Sequence, residues 1–562
     1  MTTDHNDLAR TGQNTRETIL TPANVNSSQF GKLFAVSVDG LVYAQPLYLW
    51  AVNIAGGTHN VLYIATEHDS IYAIDADSGT VYAQASLIPS GGSTVSSSSD
   101  LGCTDLTPEV GITGTPVIDP ATATLYVVAK SKVNGTIVQY LHALSVTTLA
   151  EKFGGPVQIR ASVAGHGADS SGGVVSFNAK QHNQRAALLL TNGHVLIAWS
   201  SHCDYSPWHG WLISYNASTL AQEAVFNAAP NDDGGGVWMS GAAPAADASG
   251  NIYFATGNGP WDGSSDFGDS IVKLGPPANG SFQVLDYFTP YDQAGLDTFD
   301  IDVASGGLVL LPPLASGRQL LAQQGKAGTI VLLDTGNLGK YCRNLTPACT
   351  QSDPQIVQEL QGASPGIWGA PAYWNGNLYW TGSNDSIHAY SFNAGNSGLI
   401  STTPTSHSAR IFAYSAPTPT VSSNGNTNGI LWALDGSAPD SSCNNAASCL
   451  SLYAYDATNL ASVLYNSTQA ANNRDSPGSA VKFQKPVVAN GKVYVGAVGA
   501  VTAYGLLPNS LPPGNAEVSL VSSANVDGIA RDGSAVQAGG LDGGGYAYSA
   551  TLLGTAVSWN GN

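Results

Sequence analysis

Two aspartates stand one residue apart in FDID, Asp300 and Asp302. On a strand that spacing puts both carboxylates on one face. Like charges held together call for a cation or a raised pKa; in a solvated loop they need neither. Four histidines and an arginine form a second group: His142, read as ending a strand, in YLHAL, His182 and Arg185 in FNAKQHNQR, and His202 and His209 in SSHCDYSPWHG. Histidines from adjacent loops at one mouth would suit copper or zinc. With Arg185 they would equally suit an acidic or sugar ligand. No HxH or HxxxH spacing is present, so satisfied structural histidines are the competing reading. Asp105 and Glu109, in CTDLTPEVGITGTP, precede an apolar strand and are expected to face whatever that strand lines. A carboxylate opposite His or Arg is also the arrangement of a lyase or hydrolase. The 11 Trp and 24 Tyr would suit stacking on sugar rings.

Residues this far apart need a scaffold that gathers loops, and a repeat supplies one. Its clearest copy is VLYIATEHDSIYAIDADSGTVYAQ, 61 to 84: a strand, a polar turn, a second strand, then Asp or Asn and a turn. Seven more copies begin at Leu125, Val195, Ile252, Leu320, Leu378, Gly429 and Val493. Short alternating strands rich in β-branched and aromatic residues, repeated at this spacing, predict an all-β, eight-bladed propeller. Segments such as GTPVID (114 to 119) and KPVVANGKVYV (485 to 495) are expected to provide innermost strands along the central channel. The apolar run at 30 to 40 has no blade of its own and is expected to close the last one, removing an exposed edge. The boundaries read as an N-terminal segment 1–29, a propeller 30–507, a linker 508–515, and 516–562 as an incomplete β module or a packed tail.

Composition narrows the partners. Lys and Arg total 20 against 39 Asp and Glu, a net charge of −19, with no basic run. Such a surface repels phosphate backbones, so no nucleic acid is expected. No stretch of 18 apolar residues exists, so no membrane span is expected. The start lacks a basic and apolar leader, and a removed signal peptide is expected. The cysteines point the same way: Cys342 with Cys349 and Cys443 with Cys449 flank short loops, and Cys103 with Cys203 could join neighbouring blades. Disulfides imply an extracellular or periplasmic setting. A monomer is expected.

The repeat resembles that of the pyrroloquinoline-quinone (PQQ) propellers, across 30 to 507. Gly234 to Asp334 is similar, in order, to one stretch of the quinoprotein alcohol dehydrogenases. GGGVWMSGAAPAADASGNIYFATGNGPW sets Trp238 where that family has the tryptophan under the quinone, and Asn258 where it has a calcium-ligand asparagine. In YFTPYDQAGLDTFDID, Asp300 matches the catalytic aspartate, and Asp302 the added ligand of lanthanide-using members. QQGKAGTIVLLD sets Lys326 where a basic residue contacts the quinone. The family's glutamate ligand is missing from SSHCDYSPWHGW, where Asp204 is the nearest oxygen donor. Channel-facing Glu109 joins Trp238 and Lys326 as a cofactor-binding candidate. Asp204, Asn258, Asp300 and Asp302 are the metal candidates, for calcium or a similar oxygen-loving cation.

The chain also departs from the family. It has no Cys-Cys pair, and Phe299 stands where Trp is usual. The resemblance implies a secreted or periplasmic oxidoreductase acting on alcohols or sugars with PQQ. No CxxCH occurs, so electrons would pass to a separate acceptor. One alternative is a degenerate member that keeps the pocket and has lost or changed its chemistry. Another is a quinone-free propeller that binds or cleaves polysaccharide or polyphenol through its channel.

Overall fold

Each copy of the repeat folds as a small antiparallel sheet, for two reasons visible in its residues. The Asp or Asn that ends the third strand accepts hydrogen bonds from the turn it begins. Asp75 Oδ1 takes the N–H groups of Asp77 (2.9 Å) and Ser78 (2.7 Å). Asn216 does the same for Ser218 and Thr219, and Asp456 for Thr458. The strands also alternate with period two. In Thr124–Val133, Leu125 and Val127 pack toward the preceding sheet, and Tyr126 and Val128 toward the following one.

A computed structural model describes residues 1–395, 398–438 and 449–508 and four strands beyond 528. Among these residues eight sheets follow in chain order, as blades of a propeller. The first is the meander Leu47–Ile54, Gly57–Ala65, Ser70–Asp75 and Val81–Ser86. The innermost strands of the others include Val117–Asp119, Leu189–Thr191, Ala245–Ala246, Leu308–Leu310, Ala372–Trp374, Thr420–Asn424 and Val487–Ala489. Phe30–Leu41 lies beside Lys492–Leu506 and completes the eighth blade, as its sequence led us to expect.

A tyrosine of the second strand ties one blade to the next. The hydroxyls of Tyr63, Tyr126, Tyr379 and Tyr494 donate to the carbonyls of Val146, Ala217, Ala457 and Ala76, at 2.6–2.9 Å. Each acceptor directly follows the turn-capping position of the neighbouring blade. Disulfides join Cys103 to Cys203, 100 residues apart, and Cys342 to Cys349. Cys449 is disulfide-bonded as well, while Cys443 lies outside the described residues.

The N-terminal segment runs round the inside of the ring, which its sequence does not announce. The N–H groups of Tyr48, Ile118, Ala246, Leu310, Tyr373 and Val421 donate to the carbonyls of Met1, Thr2, Leu8, Ala9, Thr11 and Gly12. Those donors lie on or beside the innermost strands of blades one, two, four, five, six and seven. Asn14 then reaches Val488 O of blade eight (3.0 Å). Buried Asp4 takes Lys485 Nζ and the N–H of Ala243 (3.0 Å). Arg10 donates to the carbonyls of Pro244, Asp4 and Asp7. This segment lies along the innermost strands.

A second unit, Leu506–Asn562, contains the antiparallel strands Ile529–Asp532, Ala535–Ala538, Tyr548–Leu553 and Ala556–Gly561 in that order. The expected linker, apart from Pro508, lies outside the described residues. Among the described residues no helix is long and apolar enough to cross a membrane.

Removing one partner of a buried ion pair strands the other charge, at about 3–5 kcal/mol. Asp4→Ala should therefore lower the unfolding free energy by that amount, measured by denaturant titration of the full chain.

Candidate functional site

Blade topology decides which loops can share a site. In an antiparallel sheet the start of one strand and the end of its neighbour lie together. Trp238, Asp302 and Arg185 precede innermost strands, whereas Glu67, Asp204, Asn258 and Lys326 follow second strands. All seven therefore gather at one end of the ring.

Lys326 is the centre of the first group. Its Nζ lies 2.8 Å from Asp300 Oδ1, 3.1 Å from the Asp300 carbonyl and 2.5 Å from Asp302 Oδ2. Asn258 donates its backbone N–H to Asp302 Oδ1 (2.8 Å) and its amide to Asp300 Oδ1 (2.7 Å). Its own Oδ1 is sealed from solvent with no hydrogen-bond partner. Gly257 brings Trp238 into the group: a Cβ there would lie 2.3 Å from Asp302 Oδ1 and 3.3 Å from Trp238 Cδ1. Only a glycine lets carboxylate and indole approach the same backbone atom. Burial works against the Lys326 charge, but Asp302 and Asp300 outweigh it and hold the ammonium above its ordinary range.

The two aspartates do not alternate along a strand. They follow the short helix Gln293–Thr298, and Asp300 sits in the left-handed region at φ 56°. They share Lys326 because the chain turns there. Asp300 is 70% exposed and Asp302 is buried. Asp204 accepts from Ser201 (2.7 Å). Crowding by protein, then Asp302 and Asp300, raises its pKa, with Lys326 opposing. Sequence reasoning missed Asp269, which is fully buried beneath the group. It accepts the Val303 N–H (3.1 Å), and its Oδ2 has no partner. Burial, then Asp302, holds its carboxyl well above the usual range. Its one sequence signal is an acid two residues before the strand Ile271–Leu274.

A second group lies at the same end of the ring. The Arg185 guanidinium lies 4.7 Å from the Phe483 ring centre and 5.8 Å from that of Tyr43. Its Nη1 packs on Gly241, three residues after Trp238. Cation–π contacts are worth about 1–2 kcal/mol each, against several for desolvating an ion. Tyr414 feels both Lys326 and Arg185, and the Cys103–Cys203 bridge links the loops carrying Asp105 and Asp204. Sequence reading missed Glu67, which follows a strand end in ATEHD, two residues before buried Asp69. Its Oε2 accepts from Gly111 N–H (2.7 Å) and Thr113 hydroxyl (3.0 Å), and its Oε1 has no partner. Burial is the main cause of its rise to about 7, opposed by those two bonds and Arg185 and assisted by Asp105. Lys130 was also missed. It is buried, meets His202 Nε2 at 2.7 Å, and burial lowers it to about 7.

The histidines do not converge. His202 Nδ1 meets Asp105 (3.2 Å), and His142 Nδ1 meets Glu151 (2.5 Å). His209 bridges Asp169 and the Ala229 carbonyl, both at 2.9 Å. His182 receives the Trp211 indole N–H. Among the described residues no histidine belongs to a group of three His, Cys, Asp or Glu side chains close enough to share an ion. His182, His202 and His209 belong to the third blade, and the His209 N–H donates to His182 Nε2 (3.2 Å), but each imidazole is taken up by protein partners and the expected histidine metal cluster does not form. Glu109 is engaged by His68 Nδ1 (3.0 Å).

No protein-family model matches the chain, and no curated protein matches its sequence. Solved structures do match its fold. The quinohemoprotein alcohol dehydrogenase of Comamonas testosteroni superposes with TM-score 0.56 at 15% identity, over 94% of this chain and 83% of its own. Quinohemoprotein alcohol dehydrogenase ADHIIG of Pseudomonas putida gives 0.55 at 14%, over 89% and 79%. A europium-containing methanol dehydrogenase gives 0.55 at 13%, over 89% and 97%. The fold is the eight-bladed propeller of the PQQ-type dehydrogenases.

Folded Glu67 keeps its proton to higher pH than the unfolded chain does. The folded state therefore binds more protons between 4.5 and about 7, and stability falls as pH rises across that window. The loss amounts to about 3 kcal/mol once Glu67 is ionised. Glu67→Gln should remove that part of the decline, measured as unfolding free energy at pH 4 and pH 8.

Proposed function

We propose that this protein is a quinoprotein-type oxidoreductase that oxidises an alcohol or sugar hydroxyl outside the cytoplasm. The observation that carries the reading is the meeting of Asp300, Asp302, Asn258 and Lys326 beside Trp238. The donor set fits a hard cation such as calcium, which takes carboxylate and amide oxygens. Asn258 Oδ1 is an unpartnered amide oxygen, Asp302 and Asp300 stand beside it, and Asp204 lies in the same field. The Lys326 ammonium already lies across the two carboxylates. Trp238, half-buried, offers a flat floor for a ring. Trp238 and Lys326 would hold a PQQ-type quinone, and Asn258, Asp302 and Asp204 the cation.

Together the quinone and cation would supply an electron acceptor polarised by a Lewis acid. The chain's own residues perform the rest. Exposed Asp300 accepts the proton of the substrate hydroxyl at its carboxylate. Lys326 holds Asp300 in place through both its carbonyl and its carboxylate. Asp302 fixes the Asn258 backbone and so aims the amide. Electrons leave to a separate acceptor, since the chain has no CxxCH. Its disulfides support action in an oxidising compartment.

A second reading has its own observation. Tyr205 (51% exposed) and Phe299 (74%) flank Asp204 and Asp300, as rings that stack on sugars would. That favours a quinone-free glycan-binding mouth.

Adding PQQ and calcium to the purified protein should change its visible spectrum, raise its melting temperature and start dye reduction with alcohols or sugars. Asp300→Asn should cut turnover by about 10²–10⁴-fold and leave the melting temperature unchanged. Absence of both spectral change and stabilisation would reject the quinoprotein reading in favour of the glycan one.

A further inference from the structure

Away from the mouth, a groove of about 840 Å³ lies on the outer flank between blades two and three. Its walls come from the fourth strand of each blade, Val157–Gln158 and Gln222–Asn227, and from the antiparallel pair Ser162–Ala164 and Val174–Ser176 that the chain forms between them. Its polar side chains are fixed by one another. Arg160 Nε and Nη2 both donate to Gln158 Oε1, at 3.2 and 2.6 Å, and the Gln222 amide holds the Arg160 carbonyl at 2.7 Å. Two amides and a guanidinium thus share one wall. Among the described residues Arg160 Nη1, Gln158 Nε2 and Gln222 Oε1 are left without a protein partner. The apolar part is fixed as well. The Phe177 ring stacks on His182, 5.0 Å between centres, and meets Trp199 and Trp211 edge-on at 5.1 and 6.0 Å. Those three side chains are fully buried, whereas Phe177 is part-exposed and lines the groove. Charge is balanced: among the described lining residues Arg160 is the one cation and Asp169 the one acid, and Asp169 already engages His209 at 2.9 Å.

We propose that this groove is a second binding site, for a neutral oligosaccharide, on the flank of the propeller and apart from the mouth. A sugar hydroxyl both donates and accepts, and the groove offers both: N–H groups on Arg160 and Gln158, and carbonyl oxygen on Gln222. Because these groups are already locked together, little side-chain freedom is lost when a ligand meets them. The C–H face of a pyranose packs on a flat ring, which immobilised Phe177 supplies. The volume lies within the range of about 300–1,000 Å³ of small-molecule sites. Charge selects the class of glycan. A chain of net charge −19 repels polyanions at long range, and a wall with a single guanidinium has no basic cluster for sulfate, phosphate or uronate groups. The site rests on neither reading of the mouth.

Affinity electrophoresis of the full chain tests it, in native gels containing mixed-linkage β-glucan, arabinoxylan, glucomannan, pullulan or polygalacturonate, with no PQQ added. At least one of the four neutral polymers should retard wild type, and acidic polygalacturonate should not. Arg160→Ala removes the locked guanidinium, and Ser176→Trp fills the groove; both positions are exposed. Each should weaken the retardation at least about five-fold, as the loss of one hydrogen bond or of the space for a ring implies. Tyr205→Ala and Phe299→Ala, at the mouth, should leave it unchanged. Wild type running freely in all four neutral gels, equal retardation by polygalacturonate, or groove variants that bind like wild type would overturn the proposal. Loss in the mouth variants alone would overturn it too, and would support the glycan-binding mouth instead. A second measurement needs no variant. With the retarding polymer bound, amide hydrogen exchange of wild type should slow at 158–163 and 175–179; slowing confined to the mouth loops rejects the groove.

Discussion

The structure depends on ring closure. A blade of this protein is apolar on both faces, as Leu125 and Val127 on one side and Tyr126 and Val128 on the other illustrate. Neither face can stay in water, so each blade needs a neighbour on both sides, and only a closed ring gives one to every blade. The tyrosine hydroxyls that reach the next blade add direction to this burial, because each finds its carbonyl only in the correct register. Closure falls to Phe30–Leu41, whose pairing with Lys492–Leu506 joins the two ends of the propeller.

Closure also creates an axis, and the axis raises an electrostatic problem. The inner strands leave a channel, which the first 17 residues occupy by hydrogen-bonding to one blade after another. They bring Asp4 and Arg10 into a space already holding Lys485 and Arg185. Asp4 neutralises Lys485, and carbonyls saturate Arg10. The charged groups around Lys326 and Arg185 lie at the mouth, where loops entering innermost strands meet loops leaving second strands. There the protein places two unlike groups at one end of the ring: carboxylates gathered on Lys326, and a cation held by rings.

The sequence made some of this legible and hid the rest for identifiable reasons. Repeats are local, so the strands, the Asp and Asn turns and the closing strand could all be read directly. The group of Trp238, Asn258, Asp300, Asp302 and Lys326 was visible because one contiguous stretch carries it in order. Their expected route to one another was wrong, however. Asp300 and Asp302 converge through a left-handed turn after a short helix, which periodicity does not signal. The histidines looked like a cluster because nearby loops carry them, and His182 and His209 do lie side by side, but each ring is taken up by protein partners. Glu67, Asp269 and Lys130 went unnoticed because a charged residue in or beside a strand does not reveal in sequence that it will be buried.

By itself, then, the sequence determined the number of blades, the way they close, and the loops that could hold chemistry, because those depend on residue type at fixed local spacing. Only the tertiary structure decided which charges are paired. Asp4 and Lys485 are 481 residues apart, and Arg185 differs from Arg10 only in what folding left around it. Desolvation and partner distance set the behaviour of an ionisable group, and both come into being only when the ring is closed.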